Sequence, residues 1–490
     1  MNVLSLEFAG FVVIALCAYY AIQYAFSFVL PAKWLRLAEN LFLLAASYYF
    51  YYQFESSYYF SIYLVSLTLA DFLLGIWLHN SARKKPILWL GIALNVGCLL
   101  WFLIGSPYIK AAPDISFETK KDLFHILIVP IGISYYTLNG ISYLIDISLK
   151  VAKPTYNPID FALYLAWFPK LTAGPLERAR KFLPLLAEKR TVDNAALASS
   201  LTLILVGLFR ASILGGTLAL LLPGRPLDDP ASFGNLNLVW AMLTYMFYLY
   251  NQFAGYTDIV RGVSGLFGIP LSRNFNSPFF SKDISDFWQR WHISLSSWLR
   301  DYVYMPLSRA FLRRNPKRTN IPNLLIPPLV TMLISGLWHG NKPEQPMWGF
   351  TNFLIWGFIM GALNVFENVR MLSKPAVAAK SLPAWRQILS TLGLAAMMLV
   401  ATAPFIMMWG QMLAYYRQLA LGWEWQSIDL RPIIVPVLSL AVDWFQHKSG
   451  DEVVFLKWPT WLQVILIVLI LVGAMVIQQL QSAPPMFVYP

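Results

Sequence analysis

The sequence predicts an all-α polytopic membrane protein, and three observations predict it. Of 490 residues, 58% are apolar and only 13% are charged. Soluble domains carry roughly 25% charged residues, so about half the expected charge is missing. Apolar runs recur from end to end, Phe8–Leu30 and Trp461–Ile477 among them. A run of about 20 residues crosses a hydrocarbon core of roughly 30 Å as a helix. The third observation is an uneven distribution of Lys and Arg between the segments that join the runs. Length alone points to two or three soluble domains, but the apolar density overrides it.

In chain order, spans are predicted at 8–30, 37–54, 57–78, 87–104, 123–147, 197–222, 236–256, 322–340, 346–367, 387–412, 432–446 and 460–481. With the N-terminus placed outside, the inner segments 31–36, 79–86, 148–195, 257–321, 368–386 and 447–458 hold 29 Lys and Arg. The outer segments 105–122, 223–235, 341–345 and 413–431 hold 7, and Arg210 lies within a span. Positive-inside bias therefore accounts for the net charge of +12 without a nucleic-acid partner. It also places both termini outside. The first segment lacks a basic start and is too long for a cleaved signal peptide, so it reads as a retained span. Cys17 and Cys98 lie in apolar runs, which argues against a disulfide framework or zinc site; both read as small buried apolar residues. No soluble domain, repeat or low-complexity tract interrupts the chain. The expected organisation is one membrane-embedded domain over 1–490.

Two elements do not fit a simple span. Phe161–Pro169 is apolar but too short, and Gly174-Pro175 breaks the chain just beyond it. It reads as a re-entrant or interfacial segment, which is tolerated only when buried in protein or lining a cavity. Ser285–Pro306 places Phe287, Trp288, Trp291, His292, Leu295, Trp298, Leu299 and Tyr302 at spacings of three and four. That spacing predicts one amphipathic helix, capped by Asp283 or Ser285.

Phosphate-binding loops, GxSxG, HExxH and paired cysteines are absent from the sequence. An ionisable residue inside a membrane is a functional candidate, so the five histidines are compared. His79, His125 and His447 sit at span edges or in an inner loop and read as interfacial. His339 ends an apolar run, and Thr331, Ser335 and His339 at spacings of four form a polar stripe on one helix face. Such a stripe faces a cavity or another helix. Gly336 and Gly340 allow close approach of a backbone or substrate. A catalytic base and a helix–helix hydrogen bond both fit. His292, on the apolar face of the amphipathic helix, reads as a satisfied core histidine or a second proton-transfer group, since neutral imidazole takes a proton near neutral pH. No carboxylate-rich set suggests a metal. Asp146, Asp258 and Asp301 read as ion-pair or helix-end residues. The basic run Arg309–Arg318 reads as positive-inside bias, with docking of an anionic donor or lipid headgroup as the second reading.

These residues fall in familiar blocks. Asp286-Phe-Trp-Gln-Arg-Trp-His-Ile-Ser-Leu-Ser-Ser-Trp-Leu-Arg-Asp-Tyr-Val-Tyr-Met-Pro-Leu307 and Ser335-Gly-Leu-Trp-His-Gly340 are the principal ones. Pro130-Ile-Gly-Ile-Ser-Tyr-Tyr136, Phe168-Pro-Lys-Leu-Thr-Ala-Gly-Pro175, Phe253-Ala-Gly-Tyr-Thr-Asp258 and Asn274-Phe-Asn-Ser-Pro278 support them. Together they resemble the membrane-bound O-acyltransferase superfamily (MBOAT), and within it the bacterial alginate O-acetyltransferase type, over about 130–340. The resemblance implies a ring of about 11–13 transmembrane helices plus re-entrant or interfacial helices around a central tunnel. It implies that His339 is the catalytic residue and His292 a second important one. Ser335, Trp338, Trp291, Arg290 and Asp301 are the expected tunnel residues.

By the same resemblance, no cofactor is bound, and acetyl-CoA or another acyl thioester is the donor. The acyl group passes from the cytoplasmic side to O-acetylate an exported polysaccharide at a bacterial inner membrane. A periplasmic or extracellular acetyl-handling protein is the expected partner, alongside membrane lipids. Asn251 and the stretch Asn341–Pro346 depart from the alginate-type pattern, which leaves the polymer open. The alternatives are a D-alanyl or lipid O-acyltransferase, a transporter or channel, and a structural subunit. Against transport, the two halves show no inverted pair of broken helices. Acyl transfer from a labelled thioester separates enzyme from transporter. A structural subunit predicts that both histidines are dispensable.

Overall fold

The computed structural model describes residues 3–55, 58–105, 129–222, 224–317, 319–339, 349–372, 384–423 and 426–480, and among the described residues there are helices and loops but no strand. Chain order runs α1 (Leu6–Ser27), α2 (Ala32–Glu55), α3 (Tyr58–Asn80) and α4 (Lys84–Leu100). Then come α5 (Ile133–Ser148), α6 (Pro158–Ala166), α7 (Phe168–Leu171), α8 (Ala179–Ala187), α9 (Asn194–Leu208) and α10 (Asn235–Leu266). A π-helical turn, Phe209–Gly215, carries α9 on to Leu221. The remainder is α11 (Ile284–Arg290), α12 (Ile293–Leu299), α13 (Met305–Arg314), α14 (Ile321–Trp338), α15 (Gly349–Leu372), α16 (Ala384–Ile406), α17 (Trp409–Leu421), α18 (Ile434–Ser449) and α19 (Thr460–Leu480).

Among the described residues six helices are long and apolar enough to cross a membrane: Leu6–Ser27, Phe60–Asn80, Lys84–Leu103, Asn194–Leu221, Ile321–Trp338 and Thr460–Leu480. Each overlaps a predicted span. Two other helices form the interior. Nearly every side chain of α5 is buried, and a helix buried all round belongs inside a bundle. Helix α10 is 32 residues long, about 48 Å. It outruns its predicted span 236–256 because charges that read as loop are paired within the helix or on it. The Arg261 guanidinium lies 3.2 Å from Asp258 and 2.8 Å from Glu452.

Close helix pairs are set by small residues, as expected where lipid supplies no hydrophobic drive between helices. A Cβ at Gly336 of α14 would land on the Phe353 carbonyl oxygen of α15, and one at Gly357 would meet the Met332 carbonyl of α14. Gly207 of α9 and Gly255 of α10 touch the same way.

The short element α6–α7 is buried from Phe161 to Leu171 except for half-buried Ala162 and is held by protein groups. Trp167 Nε1 donates to Ser264 Oγ at 2.8 Å, and the Phe168 N–H donates to Ser47 Oγ at 3.2 Å. Burial in protein is the condition under which the sequence allows a re-entrant or interfacial segment.

Other expectations are corrected. Ser285–Pro306 is not one helix but α11, a break, α12 and a π turn, Arg300–Tyr304, leading into α13. Its start is capped by Asp283, which accepts from the Asp286 N–H at 2.8 Å. The helix in the predicted span 387–412 ends at Ile406, and α17 opens at Trp409, still within that span, and runs to Leu421 in what reads as an outer loop. Cys17 is exposed on α1 and Cys98 half-buried, so neither is a buried core residue. His125 and residues 341–346 lie outside the described residues.

Candidate active site

Helix α14 contains Pro327 and Pro328, which leave carbonyls of the preceding turn without their usual donors. One turn on, Thr331 donates its hydroxyl to the Pro327 carbonyl at 2.6 Å. Thr331 and Ser335 are buried, and His339 comes just after the last helical residue with αR backbone, φ −68°. All three line a cavity of about 860 Å³.

The His339 imidazole is walled by rings. Its centroid lies 4.8 Å from Phe405, 4.9 Å from Trp338, 5.1 Å from Trp356 and 5.9 Å from Phe353. These rings come from α14, α15 and α16. Trp338 also meets His292, with centroids 6.1 Å apart at 71°. The same indole therefore touches both histidines.

His292 is 4% exposed and lines the same cavity. Phe253 stands edge-on to its ring at 4.8 Å, and neither ring nitrogen has a hydrogen-bond partner among the described residues. Its backbone is left-handed, φ 42° and ψ 53°, which costs an L-residue about 1–2 kcal/mol. An extended segment holds it there. The Asn276 N–H donates to the Arg290 carbonyl at 2.9 Å, and the Ile293 N–H donates to the Asn274 carbonyl at 2.9 Å. The Ser294 N–H donates to Asn274 Oδ1 at 3.1 Å. Three such bonds contribute on the order of 0.5–1.5 kcal/mol each, enough to offset the strain. They replace the intrahelical bonds that a continuous helix would have made, which is why the helical spacing of Ser285–Pro306 does not decide the structure.

The structure brings His339, His292, Ser335, Trp338 and Trp291 to one cavity wall. Arg290 and Asp301 are not among its lining residues. Arg290 Nε donates to Asp286 at 2.8 Å and Nη1 to the Asn276 carbonyl at 3.2 Å, so it braces the break. Asp301 accepts from Arg300 Nε at 2.9 Å and lies 4.0 Å from Arg178. Asp146 accepts from the Tyr302 hydroxyl at 2.8 Å. Arg210, inside a span, is buried against Asp443 at 2.5 Å and Gln446 at 3.1 Å. His79 and His447 are exposed.

Sequence reasoning missed the far wall. Phe353, Trp356, Asn364, Glu367 and Asn368 line the cavity from one face of α15, and their spacing is the only signal that they share it. Positions 353 to 368 cover about 22 Å of helix at 1.5 Å per residue. Along α15 the lining thus passes from the rings that face His339 to Asn364, Glu367 and Asn368, and Ser285, Gln289 and Arg300 are further polar lining residues. Among the described residues Glu367 is its one acidic lining group. The buried pair Asp71–Asn95, 2.8 Å apart, was also missed, although Asp71 stands inside a predicted span. Among the described residues no group of three His, Cys, Asp or Glu could hold a metal.

These features define an integral membrane protein with a cavity that presents two histidines among aromatic rings. The sequence pattern of the membrane-bound O-acyltransferase family matches residues 10–402, and the chain belongs to that family. It is 33% identical to a probable alginate O-acetylase of Pseudomonas aeruginosa over 68% of this chain and 63% of the relative. It is 29% identical to a peptidoglycan O-acetyltransferase of Helicobacter pylori over 73% and 68%. Against a teichoic acid D-alanyltransferase of Bacillus subtilis it is 32% identical over 53% and 65%. The match thus spans less than two thirds of the length of the Pseudomonas aeruginosa relative.

Proposed function

We propose that the protein is an O-acyltransferase that carries an acyl group, acetyl first among candidates, from a thioester donor on the inner side of a bacterial inner membrane to a hydroxyl on the outer side, for O-acetylation of an exported polysaccharide. The observation that carries this reading is the single cavity lined by His339, His292 and, further along α15, the polar residues Asn364, Glu367 and Asn368. The Lys and Arg count puts the Asn368 end inside and His339 toward the outside. A donor such as acetyl-CoA enters at Ser285, Gln289 and Arg300. His339 acts as general base on the acceptor hydroxyl or orients the acyl carbonyl, and His292 assists. A periplasmic or extracellular acetyl-handling protein completes delivery to the polymer.

The D-alanyl alternative places an ammonium on the acyl group. The His339 end offers such a charge aromatic faces but no acid among the described lining residues. An uncharged acetyl group needs no counter-charge, which favours acetyl. The test is transfer of label from acetyl-CoA in membrane vesicles. His339→Ala should lower the rate by about 10²–10⁴-fold, the range of general-base help, with the protein still folded. Transfer at the normal rate by that variant would sink the assignment, and flux of an unmodified solute would favour a transporter.

A further inference from the structure

We infer that Asn274 is the positioning residue that sets the His292 imidazole in the cavity, a role that rests on the acyl-transfer reading above. His292 carries two local costs. Its backbone is left-handed at φ 42°, and both ring nitrogens are buried without partners among the described residues. A fold that needed only a turn there would have glycine, which adopts that conformation freely. Strain of this kind persists where the surroundings over-determine it, and it collects at functional sites.

The surroundings here are one short segment. Asn274 grips the residues just after the histidine twice, with its carbonyl on the Ile293 N–H at 2.9 Å and its Oδ1 on the Ser294 N–H at 3.1 Å. Asn276 grips just before it, on the Arg290 carbonyl. Ser277, next in the segment, is itself left-handed at φ 49°. Two of the three non-glycine residues with positive φ among the described residues therefore belong to this one clamp. Asn274 supplies the clamp's side-chain acceptor to the turn after the histidine. It is 1% exposed, and its Nδ2 has no partner among the described residues. Only the oxygen of the amide is in use.

That asymmetry gives the test. Asn274→Asp keeps an oxygen acceptor and, as the neutral acid that so buried a site favours, exchanges the unused N–H₂ for a hydroxyl, whereas Asn274→Leu removes the acceptor. In vesicles with acetyl-CoA as probe, Asn274→Leu should lower kcat about 100-fold, the scale of a 1 Å misplacement. The KM for acetyl-CoA should stay within about twofold, since Asn274 is not among the residues that line the cavity, and Asn274→Asp should restore most of the rate. A second readout needs no substrate. In protein labelled with ¹³C-histidine, the His292 ring signal, assigned by its loss in His292→Gln, should move in Asn274→Leu and stay in Asn274→Asp. An unmoved signal in Asn274→Leu overturns the inference, as does equal loss of kcat in both folded variants. If Asn274→Leu fails to fold, Asn274→Asp decides alone: wild-type signal and rate support the clamp, and a displaced signal overturns it. Wild-type vesicles that transfer no label overturn the acyl-transfer reading instead, and the ring signal still judges Asn274.

Discussion

The two histidines of the cavity are held in opposite ways. His339 ends a regular spanning helix in ordinary αR backbone and is positioned by rings packed around it. His292 sits in a gap between two helices of seven residues each, in strained backbone, and is positioned by directional hydrogen bonds from a distant segment. Packing is non-directional and tolerant of small adjustments, whereas a hydrogen-bonded clamp fixes orientation and fails when one acceptor goes. The protein thus pairs a group set by shape with a group set by direction, and Trp338 touches both.

The largest effect that can break this pairing is on turnover. If the two imidazoles serve one step, His292→Ala should cost transfer heavily, and the double variant with His339→Ala should be little worse than His339→Ala alone, because residues that act as a unit are non-additive. Initial rates in vesicles measure this. Losses that multiply would mean that the histidines serve separate steps.

The same contrast explains what is legible in the sequence. Helix α14 is expected from its composition, and the Thr331–Ser335–His339 stripe from a period that the helix keeps. Its neighbour α15 carries the far wall, but no sequence rule says that Phe353 meets His339. The break at His292 is invisible to periodicity, because Trp288, Trp291, His292 and Leu295 keep helical spacing. The bonds that override it come from Asn274 and Asn276, whose block stands out in the sequence without showing what it holds. Arg290 shows the same limit. Its place beside His292 suggests the tunnel, while its guanidinium is spent on Asp286 and the Asn276 carbonyl. The long reach of α10 is hidden because Asp258 and Arg261 look like loop until their partner Glu452 is in view.

A smaller effect probes the packed site. Gly336→Val should force α14 off α15, since its Cβ falls on the Phe353 carbonyl. Overpacking of this kind costs about 1–3 kcal/mol. Thermal unfolding in detergent should show a lowered midpoint, with transfer falling because Phe353 and Trp356 move with α15. An unchanged midpoint would mean that the two helices are not in backbone contact.

Smaller again is a difference whose sign should invert between the two sites. At position 292 glycine relieves left-handed strain, so His292→Gly should be more stable than His292→Ala by about 1 kcal/mol. At position 339 the backbone is αR, so His339→Gly should be less stable than His339→Ala by roughly 0.5–1 kcal/mol. Ring loss is common to each pair and cancels. Four unfolding midpoints decide it. The same order at both positions would show that His292 is not left-handed in the membrane.

The smallest expected effect is at a histidine outside the cavity. His447 is exposed near the end of α18 and stacks on Phe280 with centroids 5.4 Å apart at 9°. Phe280 lies only three residues before Asp283, the cap of α11, so this ring sits close in sequence to the clamp without touching the chamber. His447→Ala should leave transfer within about twofold and stability within about 0.5 kcal/mol, as for surface changes away from special features. The measurement matters because histidines in the cavity and at span edges are the same residue in similarly apolar stretches of chain. A tenfold loss of transfer at position 447 would mean that enclosure in the cavity is not what separates working histidines from interfacial ones. The assignment of His339 and His292 would then rest on their sequence blocks alone.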